Sequence, residues 1–178
     1  NIDDTKNKQF ESLYKELDKL KQDKIINKIG FSTYTPDQVD YLLTNFDFDL
    51  IQVPFNVFDV RLLDGFQLQA LKRKDVEIHA RSIFLQGLLL NFEHLSGYFS
   101  TWKNEFDEYQ KIIKEKNLSL LEYALNFVLN TEEIDKVLVG VDSEKQFKEI
   151  IDSVKEHNLI SSFPINDKKL LNPSLWKL

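Results

Sequence analysis

Val137-Leu-Val-Gly-Val-Asp-Ser-Glu-Lys-Gln146 decides the fold. Ile134 to Val139 reads as a strand that Gly140 ends. Ser143-Glu-Lys-Gln146 then reads as the capped start of a helix running to about 156, since a Ser hydroxyl satisfies first-turn N–H groups. The same order of strand, Gly-x-Ser/Asp, cap and helix occurs earlier. There Lys28-Ile-Gly-Phe-Ser-Thr33 leads into Thr35-Pro36-Asp37-Gln38, with Thr as cap, Pro at the first helical position and Gln in a capping box.

Working outward, Phe10, Leu13, Leu17 and Leu20 form one stripe of an amphipathic helix over 8–22. Phe48 to Val53 is a strand stopped by Pro54, 62–73 a helix, and Val76 to Arg81 a further strand. An irregular stretch spans 82–100. Helices follow over 102–116 and 120–130, the second opening on the capping box Ser119-Leu-Leu-Glu122. The tail, 158–178, reads as irregular, and 1–178 as a single domain. Strands alternating with helices specify a parallel α/β sheet. With about four such units the chain is too short for a closed (β/α)8 barrel, which needs roughly 250 residues. An open α/β sheet and half a barrel both remain.

Composition narrows the function. At 178 residues and 42% hydrophobic, with 14 Phe, 6 Tyr and 2 Trp, the chain can build a real core. A net charge of −6 argues against a nucleic-acid partner. No apolar run approaches the roughly 20 residues of a membrane helix, so no membrane partner is expected. Cys is absent, which removes thiolate chemistry and fits a reducing cytoplasm. The chain opens at Asn1 and has no Met, so it reads as a fragment, or as one whose modified methionines go uncounted.

In parallel α/β folds chemistry gathers at the carboxyl ends of the strands. Those ends carry Ser32-Thr33, Gln52, Arg81-Ser82 and Gly140-Val141-Asp142-Ser143, a set suited to phosphate, ribose and amide groups. Ser32 and Ser143 serve equally well as simple caps. Gln52, closing an apolar strand, needs partners for its amide, from the protein or from a ligand. Period two places Glu77, His79 and Arg81 on one face, as an ionic ladder or a solvated face, with Arg81 best placed for an anion. His94 in a loop and His157 at a helix end complete the 3 His. None has metal-ligand spacing, so no metal site is expected. No glycine-rich dinucleotide fingerprint, phosphate loop or Gly-x-Ser-x-Gly elbow occurs.

Five segments in order then carry a resemblance: Lys28-Ile-Gly-Phe-Ser32, Asp49-Leu-Ile-Gln-Val-Pro-Phe-Asn56, Ala80-Arg-Ser-Ile-Phe-Leu-Gln-Gly-Leu-Leu89, Ser119 to Val128, and Val137 to Ser143. They resemble the C-terminal half of the aldo/keto reductase family. Ile78-His-Ala-Arg-Ser82 and Asn172-Pro-Ser-Leu-Trp176 look most like its bacterial, aldose-dehydrogenase-like branch. The resemblance implies parallel βα units forming the second half of a (β/α)8 TIM barrel, strands five to eight. It implies an oxidoreductase that uses NADP or NAD and moves hydride to or from a small carbonyl or a sugar or alcohol.

By that resemblance Ser32, Thr33 and Gln52 hold the nicotinamide amide, and Arg81 stands where the family stacks an aromatic ring. Ser82, Phe84 and Gln86 cradle the pyrophosphate, while Gly140, Val141, Asp142, Ser143 and Gln146 hold the adenosine end. Lys145 is the sole cation near that last loop, and Asp142 would repel a 2′-phosphate. The family's catalytic Asp, Tyr, Lys and His belong to the other half. Tyr34, Tyr41 and Tyr98 stand in the wrong context, so no catalytic residue is assigned. Open strand edges would make the chain a homo-oligomer or the companion of a missing N-terminal half. A non-catalytic half-barrel, binding a nucleotide or serving as scaffold, is the alternative.

Overall fold

In a computed structural model, which describes residues 5, 8–93, 95, 97–155 and 160–177, the strands are hydrogen-bonded in the order β1-β2-β3-β4. They are β1 (Gly30–Ser32), β2 (Leu50–Pro54), β3 (Glu77–Arg81) and β4 (Lys136–Val137). β1 and β2 run parallel, with Gly30 opposite Leu50 and Ser32 opposite Gln52. A Cβ on Gly30 would sit 2.5 Å from the Leu50 carbonyl oxygen, so only glycine permits this approach.

The chain divides into two compact units. The first holds residues 1–53 and 61–79, with helices α1 (Lys8–Gln22), α2 (Pro36–Asn45), α3 (Arg61–Asp64) and α4 (Gln67–Lys72). α1 lays its aromatic residues against β1: Tyr14 stacks on Phe31 with ring centroids 6.0 Å apart. Lys21 of α1 donates to the Asp49 carboxylate at 2.6 Å. Burial alone would raise that carboxyl, but the Lys21 ammonium and the Ile29 N–H hold it below its ordinary range.

The second unit holds residues 54–60 and 80–178. Its helices are α5 (Lys103–Glu115), α6 (Leu120–Leu129), α7 (Glu144–Asp152) and α8 (Lys168–Leu171). Phe55, Phe58, Phe106, Tyr109 and Tyr123 are its largest fully buried side chains among the described residues. Phe58 meets Tyr109 edge-on at 4.9 Å, and Tyr109 meets Tyr123 likewise at 5.7 Å, the geometry that ring quadrupoles favour. None of the described helices is long and apolar enough to cross a membrane.

Several boundaries differ from the sequence reading. The helix expected over 62–73 breaks into α3 and α4 because Phe66 turns left-handed at φ 63° and its N–H closes onto the Leu63 carbonyl, three residues back. β4 covers only Lys136–Val137, since a turn closed by the Ile134 N–H on the Thr131 carbonyl takes the residues before it. α7 stops at Asp152, with Ser153 as its C-cap. The tail holds the single turn α8 and a 3-10 turn over Pro173–Leu175, where Asp167 and Asn172 supply caps that an irregular reading overlooks. Thr35 makes no side-chain cap, and Gln38 instead accepts from the Tyr34 N–H at 2.7 Å. Gln146 does the same with the Asp142 N–H at 2.8 Å. The internal repeat therefore extends to an identical reach, one residue beyond the capping box.

The expected box at α6 does form. Glu122 N–H donates to Ser119 Oγ at 3.1 Å, and Ser119 N–H to Glu122 Oε2 at 2.9 Å. The Lys155 ammonium also pairs with Glu122. Lys155 and the Ser119 N–H hold the Glu122 carboxyl down at about 2, against an ordinary 4.5. A depressed carboxyl stabilises the fold fully above its unfolded value and loses that contribution as pH falls through the folded one. Urea unfolding should therefore show stability falling between about pH 4.5 and 2, and Glu122→Gln should flatten that part of the curve. Identical pH profiles would contradict the assignment.

Candidate functional site

Asn56 builds the site from below. It follows β2, is 1% exposed, and its Oδ1 accepts from the Phe58 and Asp59 N–H groups at 3.0 Å. Its Nδ2 donates to the Ser82 carbonyl at 3.1 Å. The residue that leaves β3 is thus held by a buried amide whose hydrogen bonds are made at both ends. From there the backbone turns sharply: Ser82, Leu85, Gln86 and Gly87 have φ of 56°, 45°, 57° and 84°. Left-handed backbone costs a non-glycine residue roughly 1 kcal/mol. The N–H groups of Phe84, Gln86 and Gly87 donate to no described residue. Open amides in a turn of this kind can cradle an anion.

This turn forms part of the wall of a cavity of about 670 Å³. Ser82, Phe84, Gln86, Gly140, Val141, Asp142 and Gln146, each singled out in the sequence, all line it. Ile83, Gly87, Leu90, Leu121, Leu138, Val139, Glu149 and Ile150 complete the wall and were not singled out. For Glu149 and Ile150 a signal existed, because positions three and four beyond Gln146 share its helix face. Ser143 is not in the wall; its Oγ accepts from the Gln146 N–H at 3.2 Å and so positions the start of α7. Arg81 is not in the wall either, but its Nη1 donates to Ser82 Oγ at 3.4 Å, which sets a guanidinium beside the cradle.

α7 is tied to α6 by Asn126, which is fully buried. Its Nδ2 donates to the Ser153 carbonyl at 2.8 Å, and its Oδ1 accepts from the Lys155 N–H at 2.9 Å. That pair of bonds holds the exit of the helix that carries Gln146 and Glu149.

Ser32, Thr33 and Gln52 lie in the first unit, at the carboxyl ends of β1 and β2. The Thr33 N–H donates to the Gln52 carbonyl at 3.0 Å, so the three are neighbours. Thr33 is buried, whereas the Ser32 hydroxyl and the Gln52 side-chain amide bond to no described residue. Both retain the donor and acceptor that a carboxamide requires.

Glu77 and His79 follow the ionic-ladder reading, with His79 Nε2 against Glu77 Oε1 at 2.6 Å and Lys28 also on Glu77. His94 and His157 lie outside the described residues. Among the described residues no cluster of His, Asp or Glu could hold a metal. The Tyr98 hydroxyl donates to the Lys169 carbonyl at 2.9 Å, Tyr34 is exposed, and the Tyr41 ring packs on Phe46.

A family model described as the aldo/keto reductase family matches residues 2–165. The chain belongs to the aldo/keto reductase family. Among solved structures it is similar to the aldo-keto reductase AKR11C1 of Bacillus halodurans. In the holo form the identity is 22% and the TM-score 0.64, over 80% of this chain and 49% of that one. The apo form gives the same identity and TM-score over 90% and 54%. It is also similar to the glycerol dehydrogenase AKR11B4 of Gluconobacter oxydans, at 20% identity and TM-score 0.52, over 78% and 52%. This aldo/keto reductase chain thus spans about half the length of the structures it matches. The parallel βα units expected from the sequence are those of the family's (β/α)8 barrel, over half of it. No curated protein sequence matches the chain.

Asn56→Ala should cost about 2–3 kcal/mol in chemical denaturation, since it leaves buried backbone groups without partners. The amide resonances of residues 82–87 should shift with it. A variant of wild-type stability with unmoved 82–87 amides would contradict the positioning role.

Proposed function

We propose that the chain is the dinucleotide-holding half of an NAD(P)-dependent oxidoreductase, and that residues 1–178 act as one domain in that role. The observation that carries this reading is the cavity shaped by the left-handed turn after β3 and the start of α7. Its size is that of a small-molecule site. The Phe84, Gln86 and Gly87 amides, the Ser82 hydroxyl and the nearby Arg81 guanidinium suit a pyrophosphate, which takes charge-assisted and backbone donors. Gly140, Val141, Asp142 and Gln146 take the adenosine end. Ser32, Thr33 and Gln52 take the nicotinamide carboxamide, for which the open Gln52 amide and Ser32 hydroxyl supply complementary donors and acceptors.

When bound, the nicotinamide supplies hydride exchange with a carbonyl or a sugar or alcohol. This chain's residues bind and orient it, and the proton-transferring residues reside in the half of the family barrel that the chain does not span. An exposed apolar stripe on and after α7, Phe147, Ile151 and Val154, supports that division. Such a stripe suits a helix whose neighbour in a closed ring comes from elsewhere.

Titrating the full chain with NADH, followed by calorimetry, tests the proposal. Saturable one-to-one binding is expected, weakened at least fivefold by Arg81→Ala and much less by Glu77→Ala. Absence of binding to NADH and NADPH alike would overturn it, and equal effects of the two substitutions would remove Arg81 from the site.

A further inference from the structure

The cavity is unevenly charged. Among the described residues, Asp142 and Glu149 are the ionisable groups in its wall, and no Lys, Arg or His joins them. Lys145, the cation nearest in sequence to Asp142, is not in the wall. It is 86% exposed and lies 3.7 Å from Glu149 in an i,i+4 pair. Glu144 adds a further carboxylate in the first turn of α7. Two neutral acceptors of the loop are spent within it: Gln146 Oε1 holds the Asp142 N–H, and Ser143 Oγ holds the Gln146 N–H.

A phosphomonoester near neutral pH carries close to two negative charges and needs cationic, charge-assisted partners to offset its lost hydration. At the Asp142 loop it would meet carboxylates, with Lys145, the cation nearest in sequence, already paired to Glu149. A ribose hydroxyl is the better fit, because it can donate to a carboxylate and form a charge-assisted bond of its own. We infer that the Asp142 loop accepts an unmodified ribose diol and rejects a 2′-phosphate, so that this chain selects NAD(H) over NADP(H). The inference rests on the dinucleotide reading of the cavity and names Asp142 as the residue that determines the choice.

The test is calorimetric titration of the full chain with NADH and with NADPH, for wild type, Asp142→Asn and Asp142→Arg, with the amide spectrum recorded to confirm each variant's fold. Wild type should bind NADH at least tenfold more tightly. Asp142→Asn should narrow that ratio at least threefold, and Asp142→Arg should bring it to unity or invert it. Because the rejection is electrostatic, raising salt from about 0.05 M to about 0.5 M should also narrow the wild-type ratio, as the Debye length contracts. Equal or tighter binding of NADPH by wild type overturns the inference while leaving the dinucleotide reading intact. A ratio insensitive to both Asp142 substitutions overturns it too. Binding of neither dinucleotide overturns the dinucleotide reading, and the inference with it.

Discussion

The buried amide of Asn56 is the constraint on which the site depends. A turn after β2 and the exit of β3 would otherwise be separate surface loops, each free to move. Because Asn56 accepts from Phe58 and Asp59 and donates to the Ser82 carbonyl, both share one hydrogen-bonded core. The cost of burying a polar side chain is offset only while every bond is made, which is why such networks specify one arrangement. Ser82 is held there, and the left-handed run over Leu85–Gly87 follows from a fixed point. Strain in that run is tolerable because the residues around it, Ile83, Leu85, Leu88 and Leu89, are buried.

A second buried asparagine plays the matching part for α7. Asn126 of α6 bonds the Ser153 carbonyl and the Lys155 N–H, and Lys155 returns to pair with Glu122 at the start of α6. The capping box and the helix exit therefore reinforce each other. The cavity wall inherits this rigidity, since Leu121 lies in the first turn of α6 and Gln146, Glu149 and Ile150 lie on α7. Preorganised walls of this kind lower the ordering cost of binding.

Much of this was legible in the sequence, where local rules and tertiary structure agree. Alternation over Glu77 to Arg81 placed the polar face of β3, and the Ser119 and Ser143 caps form as their spacing indicates. The cavity-lining residues after β3 and around Gly140 were visible through family resemblance. What escaped depends on context. No propensity marks Leu85 and Gln86 as left-handed, because the surrounding packing imposes it. Nothing local splits 62–73 at Gly65 beyond a modest glycine penalty, and the sheet decides how little of 134–139 pairs as β4. Gln38 and Gln146 reach one residue past the expected partner in both copies of the repeat, a choice between neighbouring N–H groups that spacing alone leaves open.

The proposed nucleotide site requires the turn after β3 and the start of α7, which line one cavity, to grip the same ligand. Assigned amide spectra of the full chain, recorded through a titration with ADP-ribose, test it most directly. Saturable shifts should concentrate at Phe84, Gln86, Gly87, Asp142 and Gln146. Shifts gathered instead around Glu77 and His79, or on only one of the two walls, would contradict it.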